Sequence, residues 1–362
     1  MKKVLHIITT IEFGGAEKQL LVLTKTQILE GRFVEILYLK GKPELLKDFE
    51  DLGVKVSTEF SNIYPPFQVL KILTYLKRNK YEIIHAHLPR AELICAALSY
   101  FLKSKFFYTR HNAEKFFPKG PSFISRLLSR YVSNRFECGI AISQAVKNFL
   151  IENKEISMNT KLQTIYYGFY QSKNDNSVRF EKSSISNQKK IIIGTIARLT
   201  SQKNLPTLIK AVFLLKNKLD LNLLILGDGP KKNELQKFID DMCLTESVKI
   251  LPRTRDIEQF LKSLDVFVLP SFYEGFGLVL LEAMNMQIPI IASNNSAIPE
   301  VMGKEYQFLF NCFSAEDLAS KILQITEIDK AKLIIYFRNR LEFFNAEQMC
   351  KQVSDMYAAS YE

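Results

Sequence analysis

The chain has 362 residues, 47% of them hydrophobic and 24% charged, which is ordinary for a soluble globular protein and long enough for two domains. Its five cysteines are odd in number and form no Cys-x-x-Cys pair, which argues against a disulfide framework and for reduced thiols in the cytoplasm. Most of the net charge of +11 lies in residues 1–170, which indicates a polyanionic partner (nucleic acid, an anionic membrane or a phosphorylated substrate) unless it serves solubility alone.

Short apolar strands alternate with segments of helical spacing along the whole chain. The predicted strands are Val4–Ile8, Val34–Leu39, Ile83–His87, Lys105–Thr109, Cys138–Ile142, Ile191–Ala197, Leu221–Leu226, Val248–Leu251, Val266–Leu269 and Ile288–Ala292. Helical spacing marks Ala16–Leu29, Leu208–Lys216, Asp256–Leu264 and Asn345–Tyr361. This alternation predicts an α/β protein with doubly wound parallel sheets. No apolar run is long enough to span a membrane, and the apolar N-terminus is expected to be a buried strand rather than a signal peptide.

The polar segment 173–190, rich in serine and asparagine, is the best candidate for a linker. It separates a predicted Rossmann-like domain at 1–172 from a second one at 191–344. We expect strand ends from both domains to face a cleft, where ligands bind in such sheets.

Three motifs of the first domain are candidates for function. Gly14-Gly15 opens a helix after the first strand, and the pair suits a phosphate or a tight packing turn equally well. His85 and His87 share one face of a strand, but without nearby cysteines we favour hydrogen-bonded or cleft-lining histidines over a metal site. His111 ends the fourth strand, where it can touch a sugar hydroxyl or transfer a proton, although a lone histidine is more often structural.

Basic clusters are a further feature of the first domain. The residues are Lys71, Lys77, Arg78 and Lys80 in one cluster, and Lys115, Phe116, Phe117, Lys119, Phe123, Arg126 and Arg130 in the other. Phenylalanines exposed beside basic residues dock on membrane surfaces. If these phenylalanines belong to the core, the basic residues are simply solvated.

In the second domain, two loops between a strand and a helix can hold an anion. Arg198 and Lys203 offer a bidentate fork and a mobile point charge to phosphate. Gly227 and Gly229 permit close backbone approach, but they lack the GxGxxG spacing of a dinucleotide site.

The most informative segment is 270–282, Pro-Ser-Phe-Tyr-Glu-Gly-Phe-Gly-Leu-Val-Leu-Leu-Glu. It places Gly275-Phe276-Gly277 at a helix start, where free N–H groups favour phosphate. Glu274 lies in the loop, and Glu282 lies on a helix that is apolar on every side and therefore predicted to be buried. Carboxylates accept hydrogen bonds from hydroxyls, so the segment fits a nucleotide sugar.

The Glu274…Glu282 spacing resembles the E-x7-E signature of family 4 glycosyltransferases, also called group 1. The resemblance extends in order through Gly14-Gly15-Ala16-Glu17, His111, Ala141-Ile-Ser143, Tyr167-Gly168, Arg198…Lys203-Asn204 and Gly227-Asp-Gly229. It implies a GT-B fold, in which two Rossmann-like domains face an interdomain cleft and a C-terminal helix, here 345–362, crosses back to join the first domain.

The family resemblance also implies roles for individual residues. Arg198 and Lys203 would hold the donor diphosphate, and Glu274 would bind donor-sugar hydroxyls. Glu282 would hold the ribose, and His111 would contact the sugar near the reacting carbon. The remaining positions implied for the donor are Gly15, Gly227, Arg255, Gly275, Phe276, Gly277 and Leu278. The positions expected to line the acceptor site are Gly14, Gly15, His87 and Arg90.

The implied activity is transfer of a sugar from a nucleoside-diphosphate sugar, with UDP favoured, to an acceptor hydroxyl with retention of configuration. Retaining hexosyltransferases of this kind build bacterial surface glycans such as lipopolysaccharide, O-antigen, capsule or lipid-linked oligosaccharides. We expect a lipid-linked or saccharide acceptor, no cofactor or metal, no nucleic acid, and a cytoplasmic location with possible peripheral binding to an anionic inner membrane face. A sugar-nucleotide epimerase of GT-B fold and a non-catalytic nucleotide-sugar or polyanion-binding protein are the alternatives.

Overall fold

A computed structural model of the protein describes residues 3–118, 120–171 and 190–361. The chain forms two compact units, the first comprising Met1–Tyr170 with Phe344–Glu362 and the second Gln171–Phe343. The predicted linker 173–190 lies outside the described residues except for Lys190.

A seven-stranded parallel sheet flanked by helices forms the first unit. Its strands are β1 Lys3–Ile8, β2 Phe33–Tyr38, β3 Lys55–Ser57, β4 Ile83–His87, β5 Lys105–Arg110, β6 Cys138–Ala141 and β7 Leu162–Thr164. Its helices up to this point in the chain are α1 Gly15–Leu29, α2 Leu46–Asp51, α3 Pro65–Asn79, α4 Pro89–Leu98, α5 Ser122–Ser133 and α6 Gln144–Glu152. The strand order is β3-β2-β1-β4-β5-β6-β7, the order of a Rossmann-type doubly wound sheet extended by one strand.

A six-stranded parallel sheet forms the second unit. Its strands are β8 Ile191–Ile196, β9 Leu221–Leu226, β10 Val248–Leu251, β11 Val266–Leu269, β12 Ile290–Ser293 and β13 Leu309–Phe310, in the order β10-β9-β8-β11-β12-β13. A 3₁₀ turn spans Ser201–Lys203, and the helices are α7 Leu205–Leu215, α8 Lys232–Asp241, α9 Ile257–Lys262, α10 Leu278–Asn285, α11 Ile298–Met302, α12 Ala315–Thr326 and α13 Lys330–Phe343.

The two parallel sheets confirm the predicted fold class. Every residue of β4 and of β11 is buried, because helices cover both faces of a doubly wound sheet. The short strands β3, β7 and β13 were not predicted, since two or three residues are too few to show a period of two.

The last helix, α14 Ala346–Ala358, returns to the first unit, as the resemblance implied. Its side chains Val353, Met356 and Tyr357 are buried in one cluster with Leu23 and Phe107 of the first unit. The side chain of Asn345 caps the helix by accepting hydrogen bonds from the next turn. Among the described residues, no helix combines the length and the apolar character needed to cross a bilayer.

Candidate active site

The loop 270–277, between β11 and α10, is the centre of the predicted donor site in the second unit. Four side chains hold its carbonyl oxygens with hydrogen bonds of 2.6–3.1 Å: Gln202 to Tyr273, Asn204 to Pro270, Ser293 to Ser271 and Asn295 to Phe272. These donors come from the segment after β8 and from the end of β12 and the loop after it, so neighbouring strand ends fix the shape of the loop. Side-chain bonds to the main chain of a loop limit its freedom, and the loop is therefore preorganised.

Lys203 and Glu274 form an ion pair in this loop system. The Lys203 Nζ lies 2.6 Å from Glu274 Oε1, and the Ser271 hydroxyl donates to the same oxygen at 2.6 Å. The two charged side chains are only 18% and 10% exposed. Among the described residues, no donor contacts the second carboxylate oxygen of Glu274, which can therefore accept a hydrogen bond from a ligand hydroxyl.

Arg198, predicted to share the phosphate with Lys203, lies in a different setting. Its side chain is exposed, and within the described ranges its guanidinium has no hydrogen-bond or ion-pair partner. The same loop thus carries one cation held by a carboxylate and one that is available to an anionic ligand.

Gly277 caps helix α10 with a φ of +95°, in the region that favours glycine. The amides that follow it begin the helix, where N–H groups lack partners within the helix. The prediction that α10 is buried on every side is wrong for one stripe, because Leu278, Val279 and Glu282 are only partly buried. Glu282 therefore borders solvent, which relieves the cost of burying a charge and leaves it within reach of a ligand.

The backbone around position 227 requires a glycine for a reason that the sequence did not reveal. The φ of Gly227 is +155°, and a Cβ atom at this position would lie 1.9 Å from the carbonyl oxygen of Ala197. The chain just before Arg198 therefore packs directly against this glycine, and its contact with the donor stays a prediction. Arg255, the remaining predicted donor contact away from these loops, is exposed between β10 and α9.

The first unit brings together His6, His85, His87 and His111, which are all four histidines of the chain. His111 is 8% exposed, and its two ring nitrogens bond to His87 and to the Tyr167 hydroxyl. Burial lowers the pKa of His111 to about 3 and that of His6 to about 4.

His87 was predicted to line the acceptor site, yet it is 2% exposed and bonds to His6 and His111. The structure thus supports the hydrogen-bonded alternative for this residue, and contact with an acceptor stays a prediction. Nitrogen atoms of His6, His85 and His87 lie within 4.8 Å of one another, a spacing that a metal can bridge. Each of these rings already makes two hydrogen bonds, which a metal would have to displace.

The other predicted acceptor contacts lie near two loops of the first unit. Gly14 precedes α1, and Gly15 is its first residue; the Glu17 carboxylate folds back so closely that a Cβ on Gly14 would lie 2.3 Å from it. This carboxylate places negative charge at the turn, and acceptor contact by Gly14 and Gly15 stays a prediction. Arg90 donates to Gln68 Oε1 at 2.9 Å, which joins the start of α4 to α3.

Several contributing residues escaped the sequence analysis: Gln27, Ser293, Asn295 and Ser296, the last of which donates to the Glu274 carbonyl oxygen. Each is an ordinary polar residue without a motif. Their bonding partners lie 21 to 23 positions away in the chain, so only the tertiary structure reveals these contacts.

Comparisons with known proteins identify the family of the chain. Residues 13–169 match the family model of glycosyltransferase family 4, and residues 177–340 match that of the group 1 glycosyl transferases. Together the two matches extend over nearly the whole chain and define a glycosyltransferase. The chain belongs to the group 1, or family 4, glycosyltransferases.

Individual relatives agree with this assignment. The N-acetyl-alpha-D-glucosaminyl L-malate synthase of Bacillus anthracis is 24% identical over 81% of this chain and 80% of its own. The UDP-Gal:alpha-D-GlcNAc-diphosphoundecaprenol alpha-1,3-galactosyltransferase of Escherichia coli is 31% identical over 45% of this chain and 44% of its own. The crystal structure of Anabaena Alr3699/HepE in complex with UDP superposes with a TM-score of 0.81 at 21% identity, covering 99% of this chain and all of that one, so the GT-B fold is shared.

Proposed function

We propose that this glycosyltransferase transfers a sugar from a UDP-sugar to a hydroxyl of a lipid-linked or saccharide acceptor, with retention, in the synthesis of a bacterial surface glycan. The observation that carries the proposal is the pairing of Lys203 with Glu274, together with the exposed guanidinium of Arg198 in the same loop as Lys203. A UDP-sugar combines a diphosphate for the cations with hydroxyls for the carboxylate. HepE has been solved with UDP and with UDP-glucose, and the name of the Escherichia coli relative contains UDP-Gal, which supports UDP as the nucleotide.

The residues would act mainly by stabilising charge. As the glycosidic bond breaks, negative charge develops on the leaving diphosphate, and Arg198, Lys203 and the first amides of α10 would stabilise it. Glu274 would hold the sugar through its second oxygen while its first oxygen keeps Lys203 in place. With cations and amides in this role, the reaction needs no metal ion.

Donor choice can be tested by thermal denaturation with UDP-, GDP- and ADP-sugars, since a ligand that binds the native state raises the midpoint. We expect stabilisation by a UDP-sugar, and then release of UDP that requires an acceptor. Stabilisation by GDP- or ADP-sugars alone would overturn the nucleotide assignment. Donor turnover without any acceptor would favour an epimerase, and binding without turnover a non-catalytic protein.

Acceptor and stereochemistry need a second assay. A synthetic polyprenyl-diphosphate-linked N-acetylhexosamine should accept the sugar, whereas L-malate, suggested by the name of the Bacillus anthracis relative, should not. The anomeric proton of the product, observed by NMR, should have the configuration of the donor. Transfer to malate alone, or inversion, would contradict the corresponding part of the proposal.

Helix α5 of the first unit is unusual because three of its four buried residues are serines. Ser125 donates to Glu155 at 2.9 Å, and Ser129 accepts from Arg110 at 3.0 Å, all in the interior. These hydrogen bonds satisfy the serines. Towards the end of the helix, Val132 is buried in the core and Leu128 packs against it.

The outer face of α5 carries apolar and basic side chains together. Phe123 and Leu127 are each 67% exposed, and Arg126 and Arg130 are exposed beside them. Phe116, by contrast, is buried against the Arg110 guanidinium, and Phe117 is partly buried against the same core, so the core alternative holds for these two phenylalanines. A helix with exposed apolar and basic residues suits an anionic membrane surface, and we propose peripheral binding there.

Sedimentation with vesicles tests this binding. We expect vesicles containing phosphatidylglycerol to retain the protein at low salt, and the double substitution Phe123→Ser with Leu127→Ser to abolish retention. Phe313→Ser is the matched control, because Phe313 is 77% exposed but lies in the second unit. Equal retention of the double variant, or no retention of the native protein, would refute membrane docking through α5.

A further inference from the structure

His6, His87 and His111 form a continuous row inside the first unit, although up to 81 positions separate bonded neighbours. Gln27 Oε1 lies 2.8 Å from His6 Nε2, His6 Nδ1 lies 3.0 Å from His87 Nε2, and His87 Nδ1 lies 3.2 Å from His111 Nε2. The row ends where His111 Nδ1 meets the Tyr167 hydroxyl. Every ring therefore uses both of its nitrogens.

Once the proton of His6 is placed on one ring nitrogen, only one arrangement of protons is possible in the rest of the row. A carbonyl oxygen can only accept, so the Gln27 oxygen requires a proton on His6 Nε2. A neutral imidazole has one bare nitrogen, so His6 Nδ1 must accept from His87 Nε2. By the same argument, His87 Nδ1 accepts from His111 Nε2, and His111 Nδ1 accepts from Tyr167.

The rings are neutral because they are buried. His6 is fully buried, and burial holds the pKa values of His6, His87 and His111 below the ordinary value. A second proton on any ring would remove an acceptor from the row and place a charge in the interior. The row therefore fixes proton positions rather than conducting protons.

We propose that Gln27, His6 and His87 are positioning residues that hold His111 as the neutral Nε2–H tautomer, with Nδ1 as an acceptor for a hydroxyl. In this structure the hydroxyl is that of Tyr167. The inference deepens the proposed function and rests on it, since a donor-sugar hydroxyl would replace Tyr167 at the same atom. With the opposite tautomer, His111 would present a proton there and could only donate.

His85 provides an internal control. It is as buried as the others and stacks on His87 with ring centres 4.4 Å apart, but it bonds instead to Tyr357 and Thr109. It therefore shares the environment of the row without belonging to it. The substitution His85→Asn should disturb packing without changing the tautomer of His111.

The test is ¹⁵N NMR of histidine-labelled protein without a purification tag, because four histidines give four assignable rings. We expect the Nε2–H tautomer at His6, His87 and His111. His87→Asn keeps an acceptor where Nδ1 was and should preserve the His111 tautomer, whereas His87→Gln removes that acceptor and should not. Gln27→Leu should alter the His111 signal although Gln27 does not contact His111.

Kinetics complete the test. His87→Gln should lower kcat/KM for the donor about tenfold, whereas His87→Asn should stay within about threefold of the native value, as expected for one buried hydrogen bond. Mixed tautomers in the native protein, or an unchanged His111 signal in Gln27→Leu, would overturn the proposal even if His87→Gln failed to fold. If the native protein turns over donor and a folded His87→Gln variant has the same kcat/KM, the proposal is also refuted. If the native protein turns over no donor, the proposed function is refuted instead.

Discussion

Replacing Glu274 with glutamine tests the candidate site with the smallest change of shape. Glutamine keeps an oxygen for the Ser271 hydroxyl but removes the charge that holds Lys203 Nζ at 2.6 Å. Because the pair is mostly but not fully buried, at 18% and 10% exposure, its loss should cost about 1 to 3 kcal/mol, between the values for surface and buried pairs.

The substitution should also lower the rate of sugar transfer, beyond any effect on the free energy of unfolding. Losing a charged hydrogen bond to the donor sugar, together with a misplaced Lys203, should lower kcat/KM by about 10- to 100-fold or more. The assay is the initial rate of UDP release with acceptor present, and urea denaturation gives the free energy of unfolding. Glu258→Gln is the control, since Glu258 pairs with Lys262 on the surface, with both side chains at least half exposed.

For Glu258→Gln we expect a rate within about twofold of native and a stability change below about 0.5 kcal/mol. A Glu274→Gln variant with native kcat/KM would refute the assignment of Glu274 to the donor sugar. Loss of activity that merely parallels global unfolding at the assay temperature would refute the argument from charge and assign the residue a structural role.

Three further predictions concern other parts of the structure. Arg198→Ala should raise KM for the donor about tenfold and leave the unfolding free energy unchanged, because its exposed guanidinium has no partner within the described ranges; an unchanged KM would contradict it. Gly227→Ala should destabilise the second unit by about 2 kcal/mol or more in urea denaturation, since the new methyl would overlap the Ala197 carbonyl; native stability would show that the loop shifts freely. Stability of the first unit should fall as the pH drops from about 7.5 to about 5.5, by an amount on the order of 3 kcal/mol, because the four histidines gain protons below about pH 6.5 only when unfolded. Burial raises the pKa of Glu92 to about 7, so the native state binds a proton there and is stabilised as the pH falls, but this is one group against four histidines. Constant stability over this pH range would refute the claim that the buried histidines are neutral.

The site was partly predictable because its charged members belong to local motifs. Lys203 follows a strand by a few residues, and Glu274 lies in a glycine loop before a helix, so each was recognisable alone. Their contact was not recognisable, since 71 positions separate them and nothing local records which strand ends are neighbours. The helix of Glu282 was predicted to be buried all round, because a run of apolar residues does not reveal that one stripe remains partly exposed.

The sequence by itself determined the alternation of strands and helices, the glycine-rich turns and the membership of a glycosyltransferase family. These features depend on residues close together in the chain, where spacing decides which face is buried. Only the tertiary structure decided that His6, His87 and His111 share one hydrogen-bonded row, that Phe123 and Leu127 of α5 are exposed, and that the Ala197 carbonyl packs against Gly227. The physical reason is that parallel strands align their carboxyl ends regardless of their separation in sequence, so the partners of each side chain depend on sheet order rather than on chain order.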